Sequence, residues 1–348
     1  MSEQIRLTID GLQTTAAPGA TILEAARAVG IDIPTLCEEP GITRRAQCRV
    51  CLVEIAGRPR LSPACATGVE DGMVVFTDSD RAVNARRMTL DLLLSEHPKK
   101  CPTHTSGGEC KLCDYAERYG VSARLGHGEP KREVAENAFV SRNAAACVLC
   151  SKCVRVCGEV QGIGALAFMG RGNATEVRPA LGKTLEQTDC EMCGNCAAAC
   201  PTGAARAVRM SGVKDARKVR TTCGYCGVGC QFDLNVLNGR VVGVTSAADA
   251  PVNGRWLCVK GRFGYEFIHH PDRLTVPLVR RNGRLQAASW DEALDYTAAR
   301  LNEIKKEHGP DSIAFLSSSR CTNEENYLVQ KLARAVIGTN SVDQCART

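Results

Sequence analysis

Aromatic side chains are scarce, 4% of 348 residues. A chain of this length holds two or three ordinary domains, and cores so poor in large rings imply that bound cofactor fills part of the interior. No run approaches 18 apolar residues, which excludes a membrane-spanning helix. The opening MSEQIRLTID alternates apolar and polar residues and shows neither a basic region followed by an apolar core nor a twin-arginine pair. It does not read as a secretory leader, and the expected compartment is the cytoplasm. The net charge of +6 is spread along the chain without a basic block, which argues against nucleic acid as a partner.

Cysteine, by contrast, is abundant, with 21 residues. The thiols fall into ligand-spaced groups rather than scattered pairs, so metal binding explains them better than disulfides do. CVLCSKCVRVC from Cys147 and CEMCGNCAAACP from Cys190 repeat the spacing C-x2-C-x2-C-x3-C. That is the two-cluster ferredoxin pattern, in which the fourth cysteine of each run ligates the other cluster. It assigns Cys147, Cys150, Cys153 and Cys200 to one 4Fe-4S cluster and Cys190, Cys193, Cys196 and Cys157 to its neighbour. Zinc is the competitor, but a zinc site spends two separated CxxC pairs on one ion.

Residues 5 to 9 read as a strand, Asp10-Gly11 as a hairpin turn, and Thr21 with Glu24 as a capping box opening a helix to about Val29. Cys37, Cys48, Cys51 and Cys65 follow, with the strand-like CLVEIAG between the last two and MVVFT closing the unit. The C-x10-C-x2-C-x13-C spacing suits a 2Fe-2S cluster, with zinc open on spacing alone. Residues 1–78 resemble the β-grasp domain that opens the large iron-sulfur subunit of respiratory complex I, the iron-only hydrogenases and the cytosolic formate dehydrogenases.

Residues 80 to 96 form an amphipathic helix with Val83, Met88, Leu92 and Leu93 on one side. In the families just named, the region matching 79–120 carries a His-ligated 4Fe-4S cluster with pattern H-x3-C-x2-C-x5-C. His97, Cys101 and Cys110 fall on it, but His104 replaces the middle cysteine and Cys113 lies three residues beyond. Either can complete the set, and the thiolate preference of these clusters favours Cys113. Residues 121–140 read as a polar connector into a ferredoxin-like region at 138–210, and SGVKDARKVR at 211–220 as a second connector with a domain boundary near 215.

Cys223, Cys226, Cys230 and Cys258 give C-x2-C-x3-C-x27-C around a strand, an Asn-Gly turn and a strand. A zinc ribbon would fit that spacing nearly as well as a fifth iron-sulfur site. Residues 216–274 are similar to the N-terminal 4Fe-4S domain of molybdopterin oxidoreductases, including VKGR after Cys258. That likeness implies that Lys260 lies between cluster and pterin. Residues 275–348 read as the start of an α/β domain: a helix from 290 to 307, a buried strand in DSIAFLSSS with no parallel neighbour expected before Thr348, and a helix capped by Thr322 and Glu325. SSSRCTNEENYLVQKLARAVIGTNSVDQCAR resembles formate dehydrogenase catalytic subunits, whose corresponding loop binds bis-molybdopterin guanine dinucleotide. Cys321 and Cys345 read as free thiols.

The expected fold class is α+β multidomain: β-grasp 2Fe-2S domain, His/Cys cluster domain, two-cluster ferredoxin domain, 4Fe-4S molybdopterin-oxidoreductase domain and an incomplete molybdopterin α/β domain. Five cysteine-rich sites in series imply a wire. The resemblance implies a molybdenum- or tungsten-dependent formate dehydrogenase in which formate yields carbon dioxide and electrons. These would pass to flavin or iron-sulfur subunits or a ferredoxin, and indirectly to NAD. No catalytic residue is expected within the sequence; the metal-ligating residue, selenocysteine or cysteine, is expected just after Thr348. The competing expectations are a non-catalytic electron-transfer subunit like that of complex I, or a subunit that wires a hydrogenase.

Overall fold

The computed structural model describes residues 4–105, 107–126, 134–208 and 215–344. The chain divides into two compact units, Met1–Asp215 and Ala216–Thr348.

The first unit opens with β1 (Ile5–Ile9) and β2 (Leu12–Ala16), joined at Asp10 and Gly11, both in the left-handed region at φ 47° and 81° as a two-residue hairpin requires. In α1 (Ile22–Ala28) the Thr21 hydroxyl accepts the Glu24 N–H while the Glu24 carboxylate accepts that of Thr21. Adding β3 (Leu52–Ile55), β4 (Ser62–Pro63) and β5 (Met73–Phe76) gives a sheet ordered β2-β1-β5-β3-β4, with β1 and β5 parallel and the other pairs antiparallel. Ile9, Ile22, Ala26, Val53 and Val75 are wholly enclosed in its core.

α2 (Asp80–Ser95) begins at Ser79, whose hydroxyl accepts the Ala82 N–H. Its buried face is Ala82, Arg86, Leu90 and Leu94, whereas Met88 and Leu92 are 69% and 54% exposed. The expected apolar face is therefore corrected, because an arginine occupies the centre of the true one. Arg86 satisfies its guanidinium on the carbonyls of Val50, Leu52 and Thr77 and on the Tyr119 hydroxyl, over whose ring it also lies. Hydropathy cannot foresee a cation whose partners are backbone oxygens distant in sequence.

α3 (Pro102–Thr105) and α4 (Lys111–Arg118) follow, and Leu112 and Ala116 of α4 join Leu90 and Leu94 in one core. Next come β6 (Val134–Ala135), β7 (Val140–Arg142), α5 (Lys152–Arg155), the hairpin β8 (Ala167–Met169) with β9 (Glu176–Arg178), α6 (Asn195–Ala199) and β10 (Ala205–Ala207). The sheet order is β10-β7-β6, so the end of the expected 121–140 connector is already sheet. Residues 127–133 and 209–214 lie outside the described residues.

In the second unit β11 (Arg217–Thr222), β12 (Gln231–Leu237) and β13 (Arg240–Ser246) form an antiparallel meander turning at Asn238-Gly239. The charged run 217–220, expected as connector, is therefore strand, with Arg220 held by Asp233 across the ladder and by Asp249. Further on are α7 (Val259–Phe263), the hairpin β14 (Leu278–Arg281) with β15 (Arg284–Ala287), α8 (Trp290–His308), β16 (Phe315–Ser317), α9 (Asn323–Lys331) and β17 (Val342–Gln344). The expectation of a buried strand without a parallel neighbour is corrected: β16 pairs in parallel with β17 through the α9 crossover. Alternation also leaves Leu316 85% exposed while Ile313 is buried. Among the described residues no helix is long and apolar enough to cross a membrane.

Candidate metal centres

Cys37 lies in the loop beyond α1, Cys48 and Cys51 flank the loop entering β3, and Cys65 follows β4. All four are at most 6% exposed, and the Cys48 N–H donates to Cys37 Sγ at 3.4 Å. The Cys37 thiol is driven far below its ordinary range by hydrogen bonds from the Cys48 and Cys65 thiols, which are driven up in turn. Cys51 is lowered as well, by a hydrogen bond from the Cys65 thiol; crowded sulfurs share protons in this way, and metal binding would displace those protons.

His97 follows α2, Cys101 precedes α3, and Cys110 and Cys113 open α4. One imidazole nitrogen and three sulfurs lie within 4.8 Å of one another, with His97 Nε2 at 3.6 Å from Cys113 Sγ. His104 stands apart from this group: its Nε2 accepts the Cys110 N–H at 3.3 Å and lies 3.4 Å from Asp114 Oδ1, with 42% of the side chain exposed. Cys110 being the N-cap of α4 puts Cys113 one turn along, on the same face as Cys110.

The twin runs share a backbone device. Leu149 and Ser151 between the first three cysteines of one run, and Met192 and Gly194 at the matching positions of the other, all have φ between 50° and 71°. For the non-glycine residues this costs about 1–3 kcal/mol each. It curls each loop so that the N–H two residues on faces the first sulfur, as with Met192 N–H on Cys190 Sγ at 3.4 Å. Burial first, then the neighbouring sulfurs of Cys153 and Cys200, pushes Cys147 up to about 12. Cys150 is raised by burial and then by Cys200, Cys153 and Cys147, while Cys190 is raised by burial and also by Cys157. At Cys147 and Cys150 the neighbouring sulfurs are those of the same run and Cys200, whereas at Cys196 they include Cys153 of the other run. Loops strained around inward sulfurs, and thiols whose protons are the group least suited to the space, fit a metal-sulfur cluster.

Cys223 is buried, Cys230 half-buried, and Cys226 and Cys258 exposed. The Cys223 N–H bonds the Cys230 carbonyl at 2.7 Å, and burial followed by Cys258 and Cys226 raises the Cys223 thiol. Beside this group a cavity of about 480 Å³ is lined by Cys223, Tyr225, Phe232, Lys260 and Arg320. Lys260 is exposed on α7. Arg320, from the loop after β16, lies 5.9 Å from the Tyr225 ring centre. Among the remaining thiols, Cys321 is exposed and free, and Cys345 lies outside the described residues.

Residues joining the centres escaped the reading of motifs. Leu36, Cys37, Cys48, Leu90, Cys101, Cys110 and Cys150 belong to one apolar core. Lys152 pairs with Glu39 at 2.7 Å with side chains 7% and 1% exposed, and Arg155 donates to the Cys37 and Thr43 carbonyls and to Ser151. Thr103 donates to the Thr202 carbonyl at 2.6 Å, and Gly203, at φ 66°, has no room for a Cβ, which would meet Thr103 at 2.5 Å. The sequence signal available was basic residues inside a cysteine run, SKCVRVC, where solvent-facing lysine was the ordinary expectation.

Five families match along the chain. The 2Fe-2S iron-sulfur cluster binding domain covers residues 2–80, the NADH-ubiquinone oxidoreductase-G iron-sulfur binding region covers 86–124, and the ferredoxin-like domain of NADH-quinone oxidoreductase subunit 3 covers 137–206. The molybdopterin oxidoreductase Fe4S4 domain covers 216–270 and the molybdopterin oxidoreductase family 273–348. The NADPH-Fe(3+) oxidoreductase subunit alpha of Geobacter sulfurreducens is 40% identical over 99% of this chain. A G-type subunit of the NADH-quinone oxidoreductase of Rhizobium meliloti is 38% identical over 99%, and a Staphylococcus aureus protein provisionally named a formate dehydrogenase is 30% identical over the whole chain. The chain spans about 40% of the length of these relatives. A chain of the NAD+-reducing [NiFe]-hydrogenase in its H2-reduced state matches with TM-score 0.55 and 30% identity, over 60% of this chain and 90% of that one.

Proposed function

We propose that this chain, a molybdopterin oxidoreductase headed by iron-sulfur domains of the NADH-quinone oxidoreductase G type, is the electron relay of a multi-subunit, pyridine-nucleotide-linked oxidoreductase. The observation that carries the reading is the single apolar core shared by Cys37 and Cys48, Cys101 and Cys110, and Cys150, thiols from three separate motif groups. Sulfur ligands packed into one core keep neighbouring centres close and dry.

In this reading Cys37, Cys48, Cys51 and Cys65 hold a 2Fe-2S cluster, and His97, Cys101, Cys110 and Cys113 a 4Fe-4S cluster. The twin runs hold two more with their fourth cysteines exchanged, and Cys223, Cys226, Cys230 and Cys258 a fifth centre. Bound clusters supply one-electron exchange. The protein's residues present the sulfurs to iron, which would displace their protons, and they exclude water and set the local charge. A cytoplasmic setting, where thiols stay reduced, suits this cysteine content.

At the far end Lys260 and Arg320 would bring positive charge to an anionic pterin beside the exposed thiols of Cys226 and Cys258. The longer protein would then oxidise formate at a molybdenum or tungsten bis-pterin and pass the electrons through the relay to a flavin or iron-sulfur partner and NAD. The provisional formate dehydrogenase name of a 30% identical relative supports formate. A second reading, with NADPH or NADH as the donor and no formate chemistry, is favoured by the names of the 40% and 38% identical relatives.

The test is anaerobic purification of the full-length protein with its partner subunits, followed by dye reduction with formate, NADH or NADPH as donor. Formate-dependent reduction selects the first reading, and reduction by pyridine nucleotide alone selects the second. Metal analysis of the chain should find about 18 irons, two from the 2Fe-2S site and four from each of four others. A count near zero, with zinc in its place, would end both readings.

A further inference from the structure

Lys152 and Arg155 flank Cys153, and although such residues ordinarily face solvent, they are only 6% and 5% exposed. Ser151, at φ 62°, turns the chain into α5, and positions three apart on a helix share a face. That face meets the loop beyond α1 that carries Cys37. Lys152 Nζ lies 2.7 Å from Oε2 of Glu39, itself 3% exposed. The Arg155 guanidinium spans the same loop: Nη2 donates to the Cys37 carbonyl at 2.5 Å and Nη1 to the Thr43 carbonyl. Its Nε donates to Ser151 Oγ at 3.1 Å, which fixes the plane of the group. From the end of the run, the Glu159 carboxylate accepts the Thr43 N–H at 2.6 Å.

Stability is a poor account of these contacts. A buried ion pair gains little over apolar residues of the same volume, because desolvation cancels most of its attraction. What directional bonds supply instead is register: a guanidinium fork on two carbonyls admits one placement of the loop, where an apolar contact would let it slide. Each end of the contact sits beside a different sulfur set. Glu39 is two residues from Cys37, and Lys152 and Arg155 are one and two residues from Cys153. Cys150 of the same run shares an apolar core with Cys37 and Cys48.

We infer that Glu39, Lys152 and Arg155 form a clamp that fixes the gap across which one electron passes between the 37–65 centre and the centre of Cys147, Cys150, Cys153 and Cys200. The inference deepens the relay reading and rests on it. In this step one centre is oxidised and the other reduced by the same electron; no bond to protein forms or breaks, and no proton moves. Transfer between fixed centres falls steeply with their separation. Residues that ligate neither centre therefore set its rate by holding both ligand loops, and the three are positioning residues.

The experiment uses the full-length protein purified anaerobically with its partner subunits. Iron is counted, the magnetic splitting between the two reduced centres is read by electron paramagnetic resonance, and freeze-quenched samples give the rate at which one centre reduces the other. Arg155→Met should retain iron, weaken the splitting and slow the transfer about tenfold, the scale of a misplacement of less than about 1 Å. Arg155→Lys, which keeps the charge but not the fork, should do the same to a smaller degree. Lys152→Met combined with Glu39→Leu supplies an apolar pair that should leave the melting midpoint near the parent's, yet the splitting should still weaken. Parental splitting and rate in iron-loaded Arg155→Met, or in the double variant, overturn the inference. Should Arg155→Met fail to load, Arg155→Lys and the double variant decide by the same criterion. A parent with both centres loaded but no magnetic interaction between them also overturns it and leaves the relay reading standing. A parent without iron at either set ends that reading and the inference with it.

Discussion

The 37–65 and 97–113 groups of the first unit and the 223–258 group of the second use the same residue type for opposite ends. Cys37, Cys48, Cys51, Cys65, Cys101 and Cys110 are at most 7% exposed, Cys51 and Cys65 in the core of Ile9 and Val53 and the others in the core of Leu36, Leu90 and Leu112. Cys226 and Cys258 are exposed beside a cavity. Enclosed sulfurs suit centres that only pass electrons, since a low dielectric stabilises a fixed potential and keeps out oxidants. Open sulfurs beside a basic cavity suit a centre that must abut a second, anionic cofactor. On the proposed reading, ligand spacing sets what can bind, while burial sets what the bound group is for.

The comparison can be broken most sharply at its enclosed end. Cys113→Ser should abolish one cluster signal and about four irons, whereas His104→Ala should leave both, as monitored by electron paramagnetic resonance and iron analysis. The reverse pattern would place His104 among the ligands. Next is Arg86, which ties α2 to the cysteine-bearing loop. Arg86→Ala removes the shared donor of three carbonyls and should destabilise the first unit by about 4 kcal/mol in denaturant melts. A loss below about 1 kcal/mol would mean that water replaces it without penalty.

Gly203→Ala would force a Cβ into Thr103 at a left-handed position, at a cost of about 2–3 kcal/mol. The Thr103→Ser change in the same chain should relieve part of that clash, because the nearest atom, the threonine methyl, is removed. The contrast in exposure itself is tested by chelation. Under an iron chelator with mild oxidant, the 223–258 centre should lose iron about tenfold faster than the 37–65 centre, following the greater accessibility of its thiolates. Equal rates would dissolve the comparison. Smallest is Thr21→Ala, which removes one side of the α1 capping box and should cost about 1 kcal/mol, read as a small drop in melting midpoint with no change in cluster content.

Much of the first unit is visible in its residues. Asp10-Gly11, the Thr21 to Glu24 box and the strand at Leu52 are local devices, and local hydrogen-bond geometry fixes them wherever the chain goes. The repeated cysteine spacing is likewise a local feature, and the ligand sets proposed above are read from it. The face of α2 was not visible, since Met88 and Leu92 look like core residues and Arg86 does not. Nor was the partner of β16, which depends on a crossover returning Val342 to its edge.

The sequence by itself determined which residues are candidates to hold metal, because ligand spacing over two or three residues is a property of the local chain. It also determined the order of the sites, because covalent connection does. Only the tertiary structure decided that Cys113 rather than His104 lies beside His97, that thiols from three motif groups share one core, and that Arg86 fills the buried face of α2. Each of these depends on side chains brought together from distant parts of the sequence, where the cost of burying charge is settled by partners no local pattern records.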